Sequence, residues 1–292
     1  MSGVPDVDAG FLRSLPLPSP DRDGDKDARG RVLVVAGSAE VPGAVVLSGT
    51  AALRAGAGKL QLAAPASLAR QLGLLVPEAR VFHLQETPEG ECAPAAAGQL
   101  ADALSRCDAV VIGPGMIDEE AAGALTCALL ERPPGPAFVL DAAAMTGLWD
   151  RAEVVRRHAG RVVITPHAGE MAALSGAAKA EIEADPLAAA RRAAARLQAV
   201  VAMKGAKTLI VSPEGQAWRY SGGTVGLATS GSGDVLTGVV AGLLARGASP
   251  VEAAVWGVFL HGEAGVRLAA RIGPLGFLAR ELPDEIPALM AP

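Results

Sequence analysis

Short runs of apolar residues recur along the chain and alternate with longer segments whose apolar residues are spaced as on one face of a helix. Each run consists mainly of Val, Leu, Ile and Ala, which is typical of strands buried on both faces. Such strands alternating with helices indicate a parallel sheet covered by helices on both sides. The predicted strands are 32–36, 60–63, 80–83, 109–112, 137–140, 162–165 and 200–203, and the predicted helices between them are 44–55, 67–74, 95–105, 119–131 and 185–198.

The pattern changes toward the C-terminus. Apolar residues at 208–212 and 216–220 flank a Pro-Glu-Gly turn, which predicts a β-hairpin and therefore an antiparallel edge of the sheet. Gly247 suits the end of the helix that follows, and Ser249 with Pro250 suits the N-cap and first position of the next one. These two long helices are predicted at 234–246 and 250–271.

Neither an internal repeat nor a clear linker interrupts this pattern, so a single domain is predicted over residues 31–292. Residues 1–30 are predicted to form an N-terminal arm, because 15–29 are rich in Pro, Asp and Gly. The arm folds either over its own domain or across a subunit boundary, and the sequence leaves both alternatives open.

Composition narrows the class of protein. Of the 292 residues, 50% are apolar and only 3% are aromatic, so the core must be built from Ala, Val, Leu and Ile. The net charge of -5 and the absence of a basic patch argue against a nucleic-acid surface. Three widely spaced cysteines without a CxxC pair fit reduced thiols rather than disulfides or a zinc site. No apolar run reaches the ~20 residues of a membrane helix, and no signal peptide is recognised, so a cytoplasmic protein is predicted.

The most informative segment is Leu-Ala-Thr-Ser-Gly-Ser-Gly-Asp-Val-Leu-Thr-Gly at 227–238. A glycine-rich turn that leads into a helix presents free backbone N–H groups and the positive end of the helix dipole, which together bind phosphate. A carboxylate at that position, Asp234, would repel phosphate unless it had another task, such as accepting a proton from an attacking hydroxyl. The alternative is an ordinary helix start with Ser232 or Asp234 as N-cap. The phosphate site is favoured, since capping does not require glycines on both sides of a serine.

Other polar and glycine-rich groups directly follow predicted strands. In a parallel sheet these strand ends lie at one edge, where ligands bind. The convergence of several groups on that edge is stronger evidence for a site than any one of them. The groups are Gly37 and Ser38, residues 113–116 (Gly-Pro-Gly-Met), Asp141, residues 165–170 (Thr-Pro-His-Ala-Gly-Glu) and residues 204–208 (Lys-Gly-Ala-Lys-Thr).

Each group also has a purely structural interpretation. Residues 113–115 alone fit a turn, and residues 166–170 fit an N-cap and first helical turn with His167 on the surface. Asp141 either caps the next helix or lies near a metal held by phosphates. His261 is predicted to be a packed residue of an apolar helix.

Standard nucleotide and hydrolase motifs are absent. Gly56-Ala-Gly58 is followed by Gln61 where a dinucleotide fingerprint requires its third glycine, and the chain has no GxxxxGK[ST] motif. HExxH and GxSxG are missing as well, which weakens metalloprotease and α/β-hydrolase hypotheses. A phosphate site at 231–234 must therefore be of another type.

Taken in order, these groups resemble the ribokinase-like superfamily and, more closely, the ADP-dependent NAD(P)H-hydrate dehydratases. The resemblance covers about residues 30–270. The segment 228–238 is shared by ribokinase-like enzymes in general, whereas 165–170 combined with 113–115 and 204–208 is much more specific to the dehydratases. The resemblance implies an α/β fold, a ribokinase-like three-layer α/β/α sandwich with a mostly parallel central sheet and an antiparallel edge.

The resemblance also implies an activity, the repair of hydrated nicotinamide cofactors. ADP would phosphorylate the 6-hydroxyl of (6S)-NADHX or NADPHX, and elimination of phosphate would give NADH or NADPH, with AMP and phosphate as the other products. Asp234 would be the base, kept ionised by the helix dipole, and the amides of Gly231, Ser232 and Gly233 would stabilise the transferred phosphoryl group. Mg²⁺ would bridge the phosphates, with no protein ligand assigned to it.

The family pattern further assigns binding residues. The hydrated cofactor is expected at Ala44, Gly115, His167 and Asp234. The adenine nucleotide is expected at Lys204, Gly205, Ala206, Lys207, Thr208 and Gly233. Family members are commonly tetramers, and the epimerase domain often fused to them has no counterpart before the first strand, so a separate epimerase is the expected functional partner.

Two departures from the family pattern concern the substrate loops. The usual Tyr of the first loop is replaced by Val41 and Pro42, and the usual second acid after the fifth strand is Ala143. The competing hypotheses are a ribokinase-like kinase of the hydroxymethylpyrimidine, hydroxyethylthiazole or pyridoxal type and a non-catalytic nucleotide-binding protein. The choices between ADP and ATP and between NADHX and NADPHX stay open.

Overall fold

The computed structural model describes residues 3–19, 25–133 and 135–290. These residues contain one sheet in the order β3-β2-β1-β4-β5-β6-β7-β8-β9, in which β1 to β7 are parallel and β8 and β9 are antiparallel. The strands are β1 (Arg31–Val35), β2 (Lys59–Pro65), β3 (Ala79–Leu84), β4 (Ala109–Ile112), β5 (Ala137–Leu140), β6 (Val162–Ile164), β7 (Val200–Met203), β8 (Thr208–Val211) and β9 (Ala217–Tyr220). The predicted parallel sheet and its antiparallel edge are confirmed.

Helices cover both faces of this sheet. They are α1 (Ala9–Leu12), α2 (Gly43–Arg54), α3 (Ala66–Leu75), α4 (Ala101–Leu104), α5 (Glu119–Leu130), α6 (Ala152–Arg156), α7 (Ala168–Ser175), α8 (Lys179–Ala184), α9 (Pro186–Leu197), α10 (Ser232–Ala245), α11 (Pro250–Arg271) and α12 (Leu282–Met290). Short 3-10 helices lie at Pro94–Leu100, Ala142–Met145, Val225–Leu227 and Ala279–Glu281. None of the helices in the described ranges is long and apolar enough to cross a membrane.

Alternate residues of β1 enter two separate cores. Leu33 belongs to the core that includes residues of α5 and α9, and Val34 belongs to the core that includes residues of α2, α10 and α11. Both side chains are fully buried. Because the sheet contributes to a core on each face, the architecture is the predicted three-layer α/β/α sandwich.

Helices α2 and α10 approach each other closely enough to require glycine. A Cβ on Gly238 would overlap the carbonyl oxygen of Ser48, and one on Gly242 would overlap that of Ala52. The pairs advance in the same direction along both helices, so α2 and α10 run parallel. Their N-termini therefore meet at the same edge of the sheet.

Sequence patterns were weakest for the short helices. The predicted helix 95–105 is a 3-10 helix, Pro94–Leu100, continued by the single turn of α4. Helices α6 and α8 were not predicted, because five or six residues are too few to show a helical period. The N-cap Ser249, with a capping box, and Pro250 at the first position of α11 are confirmed.

The described part of the N-terminal segment packs on its own chain. Val7 is buried, and Asp6 accepts two hydrogen bonds of 2.7 Å from Arg219 in β9. The carbonyl oxygen of Leu15 accepts a hydrogen bond of 2.6 Å from Trp256 in α11. Of the predicted arm, residues 1–2 and 20–24 lie outside the described residues. The contacts at 6–15 are made within the same chain, and the choice between the two alternatives stays a prediction.

Candidate active site

The loops that follow the parallel strands meet at one edge, as the sequence predicts. Strands β1 and β4 are neighbours although two strands and four helical segments separate them along the chain, and the chain leaves them in opposite directions. This is the point of an open parallel sheet where ligands bind. The Gly37 amide donates a hydrogen bond of 2.8 Å to the carbonyl oxygen of Pro114 and joins the two loops.

The Gly-Pro-Gly loop after β4 needs both of its glycines. Gly113 has φ +117°, and a Cβ there would overlap the carbonyl oxygen of Asp141. Gly115 has φ +68°, and a Cβ would come within 2.7 Å of the Cβ of buried Ala44. The structure thus brings together Ala44 and Gly115, two residues that the family pattern assigns to the hydrated cofactor.

A charged network connects the ends of β5, β6 and β7. The Oδ1 atom of Asp141 accepts hydrogen bonds from the Thr165 hydroxyl at 2.7 Å and from the Lys204 ammonium at 2.8 Å. The same ammonium lies 3.4 Å from a Glu170 carboxylate oxygen. Asp141 is 3% exposed, so Lys204 neutralises a carboxylate that is almost out of contact with water. Net interaction with these carboxylates raises the pKa of Lys204 despite its burial, and the ammonium stays charged.

His167 closes the N-terminus of α7. Its Nδ1 atom accepts hydrogen bonds from the amides of Gly169 and Glu170 at 3.0 and 3.1 Å, and the Glu170 carboxylate accepts one of 2.7 Å from the His167 amide. This reciprocal pair is a capping box with a histidine in place of the usual Ser or Thr. The Lys204 amide donates a 2.7 Å hydrogen bond to the carbonyl oxygen of Pro166 and holds the two turns together. The N-cap interpretation of residues 166–170 is confirmed, and the same residues lie at the candidate site.

The N-terminus of α10 is built differently. Gly231 is the N-cap in a left-handed conformation, with φ +86°, and no side chain caps the helix. The alternative prediction of Ser232 or Asp234 as N-cap is wrong, because the helix already begins at Ser232. A Cβ on Gly233 would be 3.6 Å from both the Asp141 carboxylate and the Lys204 ammonium, so this open helix end faces the charged network.

Asp234 lies in the first turn of α10 beside α2. Its carbonyl oxygen accepts a 2.9 Å hydrogen bond from the Ser48 hydroxyl. Burial, and secondarily the charge of Asp141, raises the pKa of the Asp234 carboxyl to about 7, while Lys204 acts in the opposite direction. Against the expectation that the helix dipole keeps this group fully ionised, it is near the midpoint of its titration at neutral pH.

A cavity of about 810 Å³ opens next to this helix end. It is lined on one side by the turn after β7 and on the other by α10, α11 and residues 220–229. The lining includes His167, Lys204, Gly205, Ala206, Thr208, Ser232, Gly233 and His261. Lys207 is exposed and is not among the residues that line the cavity, and Ala44 and Gly115 lie outside it.

Several residues of this site carried no clear signal in the sequence. His261, expected only to pack, lines the cavity and contacts the Ser232 hydroxyl at 2.9 Å. Tyr220 also lines it and donates a 2.9 Å hydrogen bond to Glu263. Asp141 makes no capping hydrogen bond and instead pairs with Lys204. The sequence does single out Asp141 by its position directly after a strand, but it does not predict the pairing with Lys204.

Comparisons with known proteins agree with this arrangement. The chain is 50% identical to an ADP-dependent (S)-NAD(P)H-hydrate dehydratase from Xanthomonas campestris pv. campestris, over 97% of this chain and 95% of that protein. It also matches bifunctional NAD(P)H-hydrate repair enzymes, including one from Moorella thermoacetica, of whose length it spans about half. The crystal structure of ADP/ATP-dependent NAD(P)H-hydrate dehydratase from Bacillus subtilis, co-crystallised with ATP and Mg²⁺, matches with a TM-score of 0.82 and 29% identity over 99% of this chain and 98% of the other.

The sheet order and the open helix N-terminus at its edge define a ribokinase-like protein. A ribokinase-like superfamily protein from Enterococcus faecalis V583 matches with a TM-score of 0.83 and 26% identity, over 99% of this chain and 96% of the other. The sequence model of the NAD(P)H-hydrate dehydratase family matches residues 32–288. The chain belongs to the NAD(P)H-hydrate dehydratase family.

Proposed function

We propose that the protein dehydrates (6S)-NADHX and NADPHX with ADP and thereby returns them to NADH and NADPH. The observation that carries the proposal is the uncapped N-terminus of α10, where Asp234 lies beside α2 and near the Asp141–Lys204 network, and where the adjacent residues Ser232 and Gly233 line a nucleotide-sized cavity. The 50% identity to a protein named for this activity supports the same substrates.

The chemistry explains why a kinase-like site suits a dehydratase. Hydroxide is a poor leaving group and phosphate is a good one. Transfer of the terminal phosphoryl group of ADP to the 6-hydroxyl leaves AMP. Loss of phosphate from C6, together with a proton from the neighbouring ring carbon C5, then forms the double bond of the reduced nicotinamide. Asp234 accepts the proton of the attacking hydroxyl. A base is most effective when its pKa lies near the working pH, and the pKa of Asp234 is about 7.

The two substrates bind on either side of this carboxyl group. Residues 204–208 and Gly233 hold the adenine nucleotide, all but the exposed Lys207 from the lining of the cavity, with the Lys204 ammonium and the helix dipole facing its phosphates. Ala44, Gly115 and His167 hold the hydrated nicotinamide. The amides of Gly231 and Gly233 stabilise the charge on the phosphoryl group in transfer.

The donor set fits a magnesium ion held mainly by the nucleotide. Mg²⁺ keeps several waters and is usually bound by one or two carboxylates together with substrate phosphates. Within residues 3–19, 25–133 and 135–290, no group of three or more His, Cys, Asp or Glu could hold a metal without such phosphates. Asp141, whose Oδ2 atom lies 3.6 Å from a Cβ built on Gly233, is the carboxylate that would meet Mg²⁺, and the ion would neutralise phosphate charge. The relative from Bacillus subtilis was co-crystallised with ATP and Mg²⁺.

Three further predictions belong to the same proposal. The protein works in the cytoplasm, where its three buried free cysteines stay reduced. It assembles as a homotetramer, which light scattering can measure. A separate epimerase supplies the S form of the hydrate.

The decisive experiment is to incubate the protein with NADPHX, Mg²⁺ and either ADP or ATP, and to follow the absorbance of the reduced nicotinamide. Recovery that requires the nucleotide, with AMP and phosphate formed in equal amounts when ADP is used, supports the proposal. A stable phosphorylated alcohol would instead identify a kinase. No recovery with either nucleotide would exclude the dehydratase activity.

A further inference from the structure

The backbone amide of Ser232, the first residue of α10, already donates a hydrogen bond within the protein. The Ser232 amide donates a 3.2 Å hydrogen bond to the carbonyl oxygen of Thr229. Ser232 lines the cavity, and its hydroxyl lies 2.9 Å from Nε2 of His261 in α11. If Ser232 contributes to nucleotide binding, it therefore does so with its side chain.

His261 is built to stay neutral. Burial lowers the pKa of its imidazole to about 4; a hydrogen bond with the Ser232 backbone acts in the opposite direction, and the positive charge of Lys204 adds a smaller lowering. A neutral imidazole carries one N–H, on either Nδ1 or Nε2, and the neighbour of each nitrogen decides which. The contact between Nε2 and the Ser232 hydroxyl can therefore run in either direction.

The two directions have opposite consequences for an anion in the cavity. If the hydroxyl donates to Nε2, the serine oxygen turns only lone pairs toward a phosphate and repels it. If Nε2–H donates to the serine oxygen, the hydroxyl proton is free to donate to phosphate. The second direction adds a neutral donor to a helix end that already attracts anions.

We propose that His261 is a positioning residue whose Nε2–H donates to Ser232 and turns the Ser232 hydroxyl toward a phosphate oxygen of the bound nucleotide. This proposal rests on the proposed function only in taking a nucleoside diphosphate as the ligand of the cavity. It assigns a role to a histidine 29 residues away along the chain. Ser232 and His261 then act as one unit, because the serine donates only when the histidine holds its oxygen.

The test compares Ser232→Ala, His261→Leu, His261→Gln and the double variant Ser232→Ala/His261→Leu. ADP affinity is measured by calorimetry with Mg²⁺ and without the hydrated cofactor. Ser232→Ala and His261→Leu are each expected to raise the Kd for ADP by about 10- to 100-fold, the range for a lost hydrogen bond to a charged group. The double variant should bind no more weakly than either single variant. His261→Gln keeps an N–H donor and should stay within about threefold of the wild type.

Nitrogen NMR of the histidine rings provides a readout that a purely structural role would not give. In the ADP complex, His261 should carry its proton on Nε2. Ser105→Ala and His83→Gln alter exposed residues away from the cavity and serve as controls for binding and for resonance assignment. A proton on Nδ1 in the complex, or wild-type ADP affinity in Ser232→Ala, would contradict the proposed positioning of Ser232 by His261.

The outcomes separate this inference from the proposed function. If the wild-type protein binds ADP but does not restore NADPH, the dehydratase activity is contradicted. The binding comparison then still decides whether His261 positions Ser232. If the protein restores NADPH but its Ser232→Ala and His261→Leu variants bind ADP normally, only the proposed positioning of Ser232 by His261 is contradicted. A wild-type protein that binds neither ADP nor ATP contradicts both.

Discussion

Two helices begin at the same edge of the sheet, and their N-termini are completed in opposite ways. At α7, His167 and Glu170 form a reciprocal capping box that satisfies the first amides of the helix. At α10, the N-cap is Gly231 and no side chain accepts a hydrogen bond from the helix amides. The closed end uses polar side chains for structure, whereas the open end leaves backbone donors for a ligand.

The difference shows how stability and function are divided within the site. The closed end fixes Glu170, whose carboxylate also lies 3.4 Å from the Lys204 ammonium, so the capping box positions the network as well as the helix. The open end keeps a half-buried carboxyl, Asp234, whose charged form is disfavoured by its surroundings. The N-terminus of α10, which no side chain caps, is thus held in place by the capped N-terminus of α7 beside it.

Asp234→Asn removes the base at the open end and should have the largest effect. We expect kcat for NADPHX dehydration to fall about 1,000-fold, within the range for loss of a general base, while the Kd for ADP changes little. Steady-state kinetics and calorimetry measure the two quantities. Asp185→Asn, which keeps an N-cap at α9, is the matched control. A kcat within tenfold of wild type would show that another group accepts the proton.

The same substitution should stabilise the protein at high pH. The folded-state pKa of Asp234, about 7, lies above the ordinary aspartate pKa of 3.8 that applies to the unfolded chain. Between these values the folded state holds a proton that the unfolded state has lost, so this residue's contribution to stability falls as pH rises and is lost above about pH 7.

An asparagine at position 234 does not titrate, so the variant does not lose stability in this way as the pH rises. We expect the free energy of unfolding of Asp234→Asn to exceed that of wild type by about 2 kcal/mol at pH 8, with a smaller gain at pH 5, since only part of the shift applies to a half-buried group. Urea unfolding at both pH values tests this. A gain that is equal at pH 5 and pH 8 would contradict the linkage.

The sequence predicted the sheet well because strands buried on both faces leave an unmistakable apolar run. It also placed Gly115, His167, Lys204 and Asp234 at one edge, since each follows a predicted strand or begins a helix. It misplaced the start of α10, because serine and aspartate are common N-caps and Gly231 in a left-handed conformation is not the first expectation.

Pairings across the fold could not be predicted in the same way. Asp141 and Lys204 are 63 residues apart, and they meet only because β5 and β7 both flank β6. The contact of Ser232 with His261 depends on the packing of α10 against α11, which a helical period does not specify. Such contacts depend on the order of elements in space, and sequence patterns report only the order along the chain.

Asp141→Asn tests the electrostatic connection between the two ends. Removing this charge removes one cause of the raised pKa of Asp234 and leaves Lys204 to favour the ionised form. We expect the midpoint of the rise in kcat/KM with pH to move down from near pH 7 by about one pH unit. Asp118→Asn, at the N-cap of α5, is the control and should leave the profile unchanged. An unshifted profile in Asp141→Asn would mean that burial alone sets the pKa.

Substitutions of His167 separate capping from substrate binding at the closed end. His167→Ala leaves the amides of Gly169 and Glu170 without their acceptor and should lower the free energy of unfolding by about 1 kcal/mol. Asparagine is a good N-cap, so His167→Asn should keep the stability of wild type. Both variants should raise KM for NADPHX with little change in the Kd for ADP, because asparagine restores the cap but not the imidazole. If His167→Asn restores KM together with stability, the histidine serves only as a cap, and the two helix ends then differ solely in which of them binds a ligand.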